Sequence, residues 1–104
     1  MTPPKVAFLT HDYQRYGDDH VPGGVAWYRC FLPMDFLGKS GWQTIMSYPD
    51  FNEEHGFGVM LPKEQKTVYG FQVVVLKGIR EDKAIPMVRR ARELGQRVVV
   101  DVCF

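Results

Sequence analysis

The sequence predicts an α/β domain: an open parallel sheet of about four strands, covered on both faces to make three layers, in the order strand, helix, strand, loop, strand, helix, strand. Three observations predict it. The runs KVAFLT (residues 5–10), FQVVVLK (71–77) and RVVVDV (97–102) are apolar almost without interruption, as strands covered on both faces are. Two further stretches carry apolar residues at helical spacing. Each of these ends at a glycine, the residue that most readily closes a helix. Strands alternating with helices in this way join through right-handed crossovers.

Lys5 to Thr10 follows Pro3 and Pro4 and reads as the first, buried strand. His11 to Gly24 reads as a polar loop rich in Asp, Gly and Tyr, longer than the usual connection of about 2–6 residues and therefore a candidate functional loop. Val25 to Lys39 reads as a helix with Trp27, Phe31, Met34 and Leu37 on one face. Asp35 and Lys39 are placed to pair along it, and Gly38 or Gly41 closes it. Pro33 removes the amide that would bond the carbonyl of Arg29, so a kink is expected there. Trp42 to Ser47 reads as the second strand.

Tyr48 to Gly70 is punctuated by Pro49, Gly56, Gly58, Pro62 and Gly70 and reads as a loop, with a helical turn at most around Pro62–Lys66. Phe71 to Lys77 reads as the third strand. Glu81 to Leu94 reads as the second helix, with Ala84, Val88, Ala91 and Leu94 on one face. Glu81 and Asp82 occupy its first turn and Arg89, Arg90 and Arg92 lie towards its end, as the helix dipole favours. Gly95 stops it, and Arg97 to Val102 reads as the fourth strand.

At 104 residues the chain is expected to form one domain, residues 1–104. With 45% apolar and 24% charged residues it is ordinary for a globular protein and unlike a disordered one. Thirteen basic against twelve acidic residues leave a net charge of +1, so nothing in the bulk charge draws it to nucleic acid or an anionic membrane. No apolar stretch approaches the ~20 residues of a membrane span, and Met-Thr-Pro-Pro-Lys has no signal-peptide pattern. Cys30 and Cys103 are too few for a disulfide scaffold and match no metal-ligand spacing. The expectation is a cytoplasmic protein with no membrane or nucleic-acid partner, no metal and no cofactor.

Ligands of parallel sheets bind beyond the carboxyl ends of the strands. Those ends carry His11-Asp12, Tyr48-Pro49, Lys77-Gly78 and Asp101-Val102-Cys103, and Gly23-Gly24 belongs to the same rim. Glycines at a helix start suit an anion or a hydroxyl-rich ligand. Arg29, two turns on, fits such a ligand; the alternative is that it lies along Trp27 and Phe31 or pairs with Asp18 or Asp19. The glycine pair is not G-x-G-x-x-G, so no dinucleotide is expected. His11, Asp12, Asp18, Asp19 and His20 are metal-capable, but no spacing gathers them and a solvated loop is the simpler reading. Cys103 lacks the setting of a nucleophile, and Cys30 reads as a small packed residue. The Arg89–Arg92 run reads as a solvated helix face. No residue is assigned a catalytic role.

KVAFLT, PGGVAWYRCFLPMDFL, SGWQT and RRARELGQRVVVDV together resemble the N-terminal Rossmann-like domain of GT-B type, group-1-like glycosyltransferases, of the kind found in bacteriophage genomes. The resemblance spans nearly the whole chain, and its most specific parts are Gly23 to Pro33 and the terminal strand. It implies an acceptor-side domain that faces a nucleotide-sugar domain across a cleft. By that resemblance Gly23 and Gly24 form a ligand-facing loop with Arg29 near it, and His11 and Asp12 line the cleft.

The chain departs from the pattern where Asp101-Val102 is followed by Cys103-Phe104 rather than an acidic run, and the donor-binding domain is absent from this sequence. The expected function is therefore a binding or interaction module rather than a complete enzyme. The alternative is a glycosyltransferase active only with a separately encoded donor domain or as a dimer. Expected partners are a sugar or nucleotide sugar, and a second copy or another protein through the C-terminal sheet, where Val98, Val100 and Val102 alternate with Val99 and Asp101. A response-regulator-like or flavodoxin-like module is a weaker reading, since no acidic cluster or phosphate loop of the needed pattern follows the first strand.

Overall fold

The main sheet has six strands rather than four and is mixed rather than parallel, which overturns the expected three-layer, Rossmann-like parallel sheet of about four strands. The computed structural model describes residues 4–24, 27–77 and 81–101, apart from the side chains of Tyr28, Arg29, Glu81 and Asp101. In chain order the strands are β1 (Lys5–Thr10), β2 (Tyr13–Tyr16), β3 (Asp19–Pro22), β4 (Gln43–Asn52), β5 (Gly56–Leu61), β6 (Lys66–Val68), β7 (Val73–Lys77) and β8 (Arg97–Asp101). The α-helices are α1 (Leu32–Lys39) and α2 (Glu81–Glu93). The sheet runs β6-β5-β4-β1-β7-β8, and among the described residues β2 and β3 pair only with each other.

The extra strands come from the stretch that reads as a loop. β4 continues through Pro49 to Asn52 and exchanges partners on the way. Its first half pairs in parallel with β1 as far as Leu9↔Ser47, and its second half pairs antiparallel with β5, from Tyr48↔Met60 to Asn52↔Gly56. Pro49 is tolerated because β1 has stopped by then, leaving a strand on one side only. Gly56 reverses the chain at φ +79°, a conformation open to glycine, and Phe57 and Val59 then enter the core. The prolines and glycines are turn and strand residues of a meander, not the marks of a loop.

Beside the meander, β4, β1, β7 and β8 are parallel neighbours. Strand alternation splits β1 between two cores. Val6 and Phe8 pack with Cys30, Met34 and Leu37, while Ala7 and Leu9 pack with Phe57, Leu76, Met87, Val88 and Ala91. The two helices therefore lie on opposite faces. Leu9 and Leu76 are register partners with no exposed surface, each contributing about 1.5–3 kcal/mol of burial. Of the helix-face residues expected to be covered, Trp27 and Leu94 are exposed. Val99 points outward from β8, while Val98 is buried.

The interruption expected at Pro33 takes the form of a π-helical turn, Trp27–Phe31, which hands over to α1 with Pro33 in its first turn, where a missing amide costs least. Both helices end alike. Gly41 (φ +94°) and Gly95 (φ +93°) each take the left-handed position after the helix. Trp42 N–H donates to Leu37 and Gln96 N–H to Ala91, closing the last turns. Behind Gly95 the side chain of Gln96 turns into the core. Its Nε2 donates to the carbonyls of Phe57 (3.0 Å) and Phe71 (2.9 Å), and its Oε1 accepts from Phe57 N–H at 2.9 Å. Among the described residues no helix is long and apolar enough to cross a membrane.

Candidate functional site

The central strand β1 ends at Thr10 while β4 runs on, so the sheet opens a crevice at this point. The chain leaving β1 turns at once: Asp12 N–H donates to Thr10 Oγ1 (3.0 Å) and Tyr13 N–H to the His11 carbonyl (2.9 Å). The segment read as a loop then forms the β2–β3 hairpin, reversed at Gly17–Asp18 with Gly17 at φ +62°, as tight hairpin turns require. Gly23 N–H donates to the Asp12 carbonyl at 2.8 Å and closes the hairpin's base. The Gly23 carbonyl then accepts from Trp27 N–H and starts the helical segment.

Three of the expected site residues meet at this base: His11, Asp12 and Gly23. Gly23 is buried, and a Cβ there would run into the Asp12 carboxylate. Gly24 is exposed with open space around its Cβ position, so the two glycines do not act as a pair. The backbone of Arg29 lies in the π-helical turn, while its side chain is outside the described residues. Gly78, Val102 and Cys103 also lie outside them. Cys30 is fully buried against Val6 and Phe8. Lys77, 2% exposed, stands at the end of β7 in register with Thr10 and with Asp101.

The crevice centres on Tyr48, the first residue past the parting of β1 and β4. Around its ring lie Tyr13 (centroids 4.7 Å apart), His20 (5.4 Å, edge-on) and His11 (6.0 Å). The Tyr48 hydroxyl is 2.6 Å from His20 Nδ1 and donates to it when that nitrogen carries no proton. Farther out, Lys63 in the β5–β6 turn donates to Asp19 on the hairpin at 3.2 Å. A pocket of about 410 Å³ lies between hairpin, β4 and turn, lined by Tyr13, Asp19, His20, Tyr48, Lys63 and Glu64 among others. Among the described residues no three His, Cys, Asp or Glu side chains gather as a metal set. Arg90 is not merely solvated: its Nε donates to the Glu53 carbonyl, tying α2 to the β4–β5 turn.

Sequence reasoning missed Tyr13 and Lys63 as pocket residues, placed Tyr48 only among the strand ends where a ligand would bind, and saw His20 only as one weak metal candidate. The signal for them was the pattern YQRYGDDHVP, two short strand-like runs around Gly17-Asp18, which brings the hairpin's residues back over β4.

The Tyr13 hydroxyl is buried and has no hydrogen-bond partner among the described residues. Burial, with Cys30 and Tyr48 beside it, holds its pKa above the ordinary tyrosine value. In the unfolded chain it ionises near pH ~10, so below that pH it is neutral in both states and its contribution is intact. Above pH ~10 only the unfolded state releases the proton readily, and stability falls as pH rises towards the raised folded value. Urea titrations between pH 8 and 11 should therefore show a shallower alkaline loss for Tyr13→Phe than for the wild type. At pH 7 the variant should be no less stable, since an unpartnered buried hydroxyl has been removed.

Compared with known proteins, the chain matches no family model, no curated protein and no solved structure.

Proposed function

We propose that this chain is a glycosyltransferase-like, acceptor-side domain that acts as a sugar-binding module of the cytoplasm. One observation carries the reading: the pocket where the hairpin overlies the end of β4 combines two tyrosine rings with a ring of polar side chains. A sugar has an apolar C–H face that packs on aromatic rings and hydroxyls that need fixed donors and acceptors. Tyr13 and Tyr48 offer the rings; His20, Asp19, Lys63 and Glu64 offer the polar partners. The position, beyond the carboxyl ends of parallel strands, is where such sheets hold their ligands. The reading is one of binding rather than catalysis, because glycosyl transfer draws preorganised groups from an acceptor and a donor domain, and the residues of this pocket all belong to the acceptor-side one.

The test is calorimetry of the purified protein against a panel of monosaccharides, oligosaccharides and nucleotide sugars. Tyr48→Ala removes both the ring and the His20 partner and should weaken binding about tenfold or more, the equivalent of ~1.4 kcal/mol. Tyr48→Phe keeps the ring and should weaken it less. A folded wild type that binds none of the panel, or a Tyr48→Ala protein that binds as well as the wild type, removes the proposal.

A further inference from the structure

We propose that the β2–β3 hairpin is a hinged flap over the pocket, held shut by two latches, and that its opening controls entry of the ligand. Among the described residues its strands pair with each other and with no strand of the main sheet. A lone two-stranded hairpin is marginally stable in water, so its position depends on what it touches. Gln14, Arg15, Tyr16, Gly17, Asp18 and Asp19 are all exposed. The hairpin is joined to the body at its base, where Gly23 N–H meets the Asp12 carbonyl and the absent Cβ of Gly23 leaves room for the Asp12 carboxylate. This base is the hinge.

Beyond the Tyr13–Tyr48 ring contact next to the base (4.7 Å), two polar contacts hold the flap down: Asp19 with Lys63 at 3.2 Å, and His20 with Tyr48 at 2.6 Å. Both Asp19 and Lys63 are well exposed, so water and salt weaken their pairing. The pocket takes Tyr13, Asp19, His20 and Val21 from the flap, and Tyr48, Lys63 and their neighbours from the body. When the flap lifts, the two linings separate as one step. A ligand seated between them bridges both halves and keeps the flap closed, because it binds the closed form in preference to the open one. The gating role rests on the pocket being the ligand site; the hinged motion does not.

Hydrogen exchange followed by mass spectrometry tests the motion without any ligand. Amides of residues 13–21 should exchange at least tenfold faster than those of β1 and β7, as a segment opening on its own does. Lys63→Gln should speed exchange in the hairpin about 2–5-fold, and Tyr48→Phe should speed it by a similar factor, with β1 and β7 unchanged. Salt at 1 M should speed the wild type and leave Lys63→Gln unaltered. Exchange of the hairpin at the rate of β1 and β7, or indifference to both substitutions, overturns the flap. An opening hairpin in a protein that binds no sugar leaves the flap standing and removes the sugar reading; sugar binding with a hairpin that never opens alone does the reverse.

Discussion

Gln96→Leu should cost roughly 3–6 kcal/mol of stability, read from urea unfolding at pH 7. Leucine is close to glutamine in size, so the loss reports the amide and not a cavity. Gln96 is 8% exposed and bonds three main-chain groups, the N–H and carbonyl of Phe57 and the carbonyl of Phe71. All three lose their partner in the variant, and each buried polar group so stranded costs about 1–3 kcal/mol. Against a typical total of about 5–15 kcal/mol, the substitution takes a large share. The amide also joins β5 to the β7–β8 pair, which no strand pairing among the described residues joins directly, since it arises between α2 and β8 and reaches the start of β5 and the approach to β7. Stability within 1 kcal/mol of the wild type would show that water takes over these bonds, and that the amide is dispensable.

Gly58→Val should cost about 2–4 kcal/mol by the same measurement. Gly58 pairs with Asp50 across β4 and β5, and a Cβ there would lie 2.6 Å from Tyr69 Cδ1 and 2.7 Å from the Val68 carbonyl. The ring can swing aside, but the carbonyl belongs to β6 and moves only if the β5–β6 pairing moves with it. A glycine inside a strand marks this kind of close approach. Gly58→Ala should lose part of the same amount, and adding Tyr69→Ala should recover only the share owed to the ring. A cost below 0.5 kcal/mol for Gly58→Ala would mean that β6 accommodates a methyl group freely.

The strand buried on both faces was readable because both faces needed apolar residues, and KVAFLT displays this directly; RVVVDV has the same look, yet β8 is covered only on the face of Val98 and leaves Val99 exposed. Helix α2 was readable from Ala84, Val88 and Ala91, though Leu94 falls one residue past the end of the helix, in its closing turn, and stays exposed. The meander was hidden by its own turn chemistry. Gly56 and Gly58 read as breaks, yet one reverses the chain and the other makes room for Tyr69. The alternation Phe57, Val59, Leu61 lay between them as the signal passed over. That omission is why a parallel sheet was expected where a mixed one stands.

His11, Asp12 and Gly23 could be placed beside the crevice from the sequence, because they sit at the end of the first strand and the start of the next helix, but none of them is among the residues that line the pocket. The aromatic cluster was not legible. Tyr48 acquires its neighbours only because β4 outlasts β1, a relation between strand lengths that no local pattern records.

The double allegiance of β4 also sets the order in which the chain can assemble. Its pairing with β5 and then β6 joins residues adjacent in the sequence, such as Asn52 with Gly56, and closing so short a loop costs little entropy. The pairing of β1 with β7 must bring Val6 to Val73, and nothing rewards that closure until it is nearly complete. The meander is thus the element able to form first, offering β4 as a ready edge on which β1, and after it β7 and β8, are laid down. On this view the segment of the sequence that looked least structured is the nucleus of the fold, and the apolar strands that looked most certain are the late arrivals that set its speed.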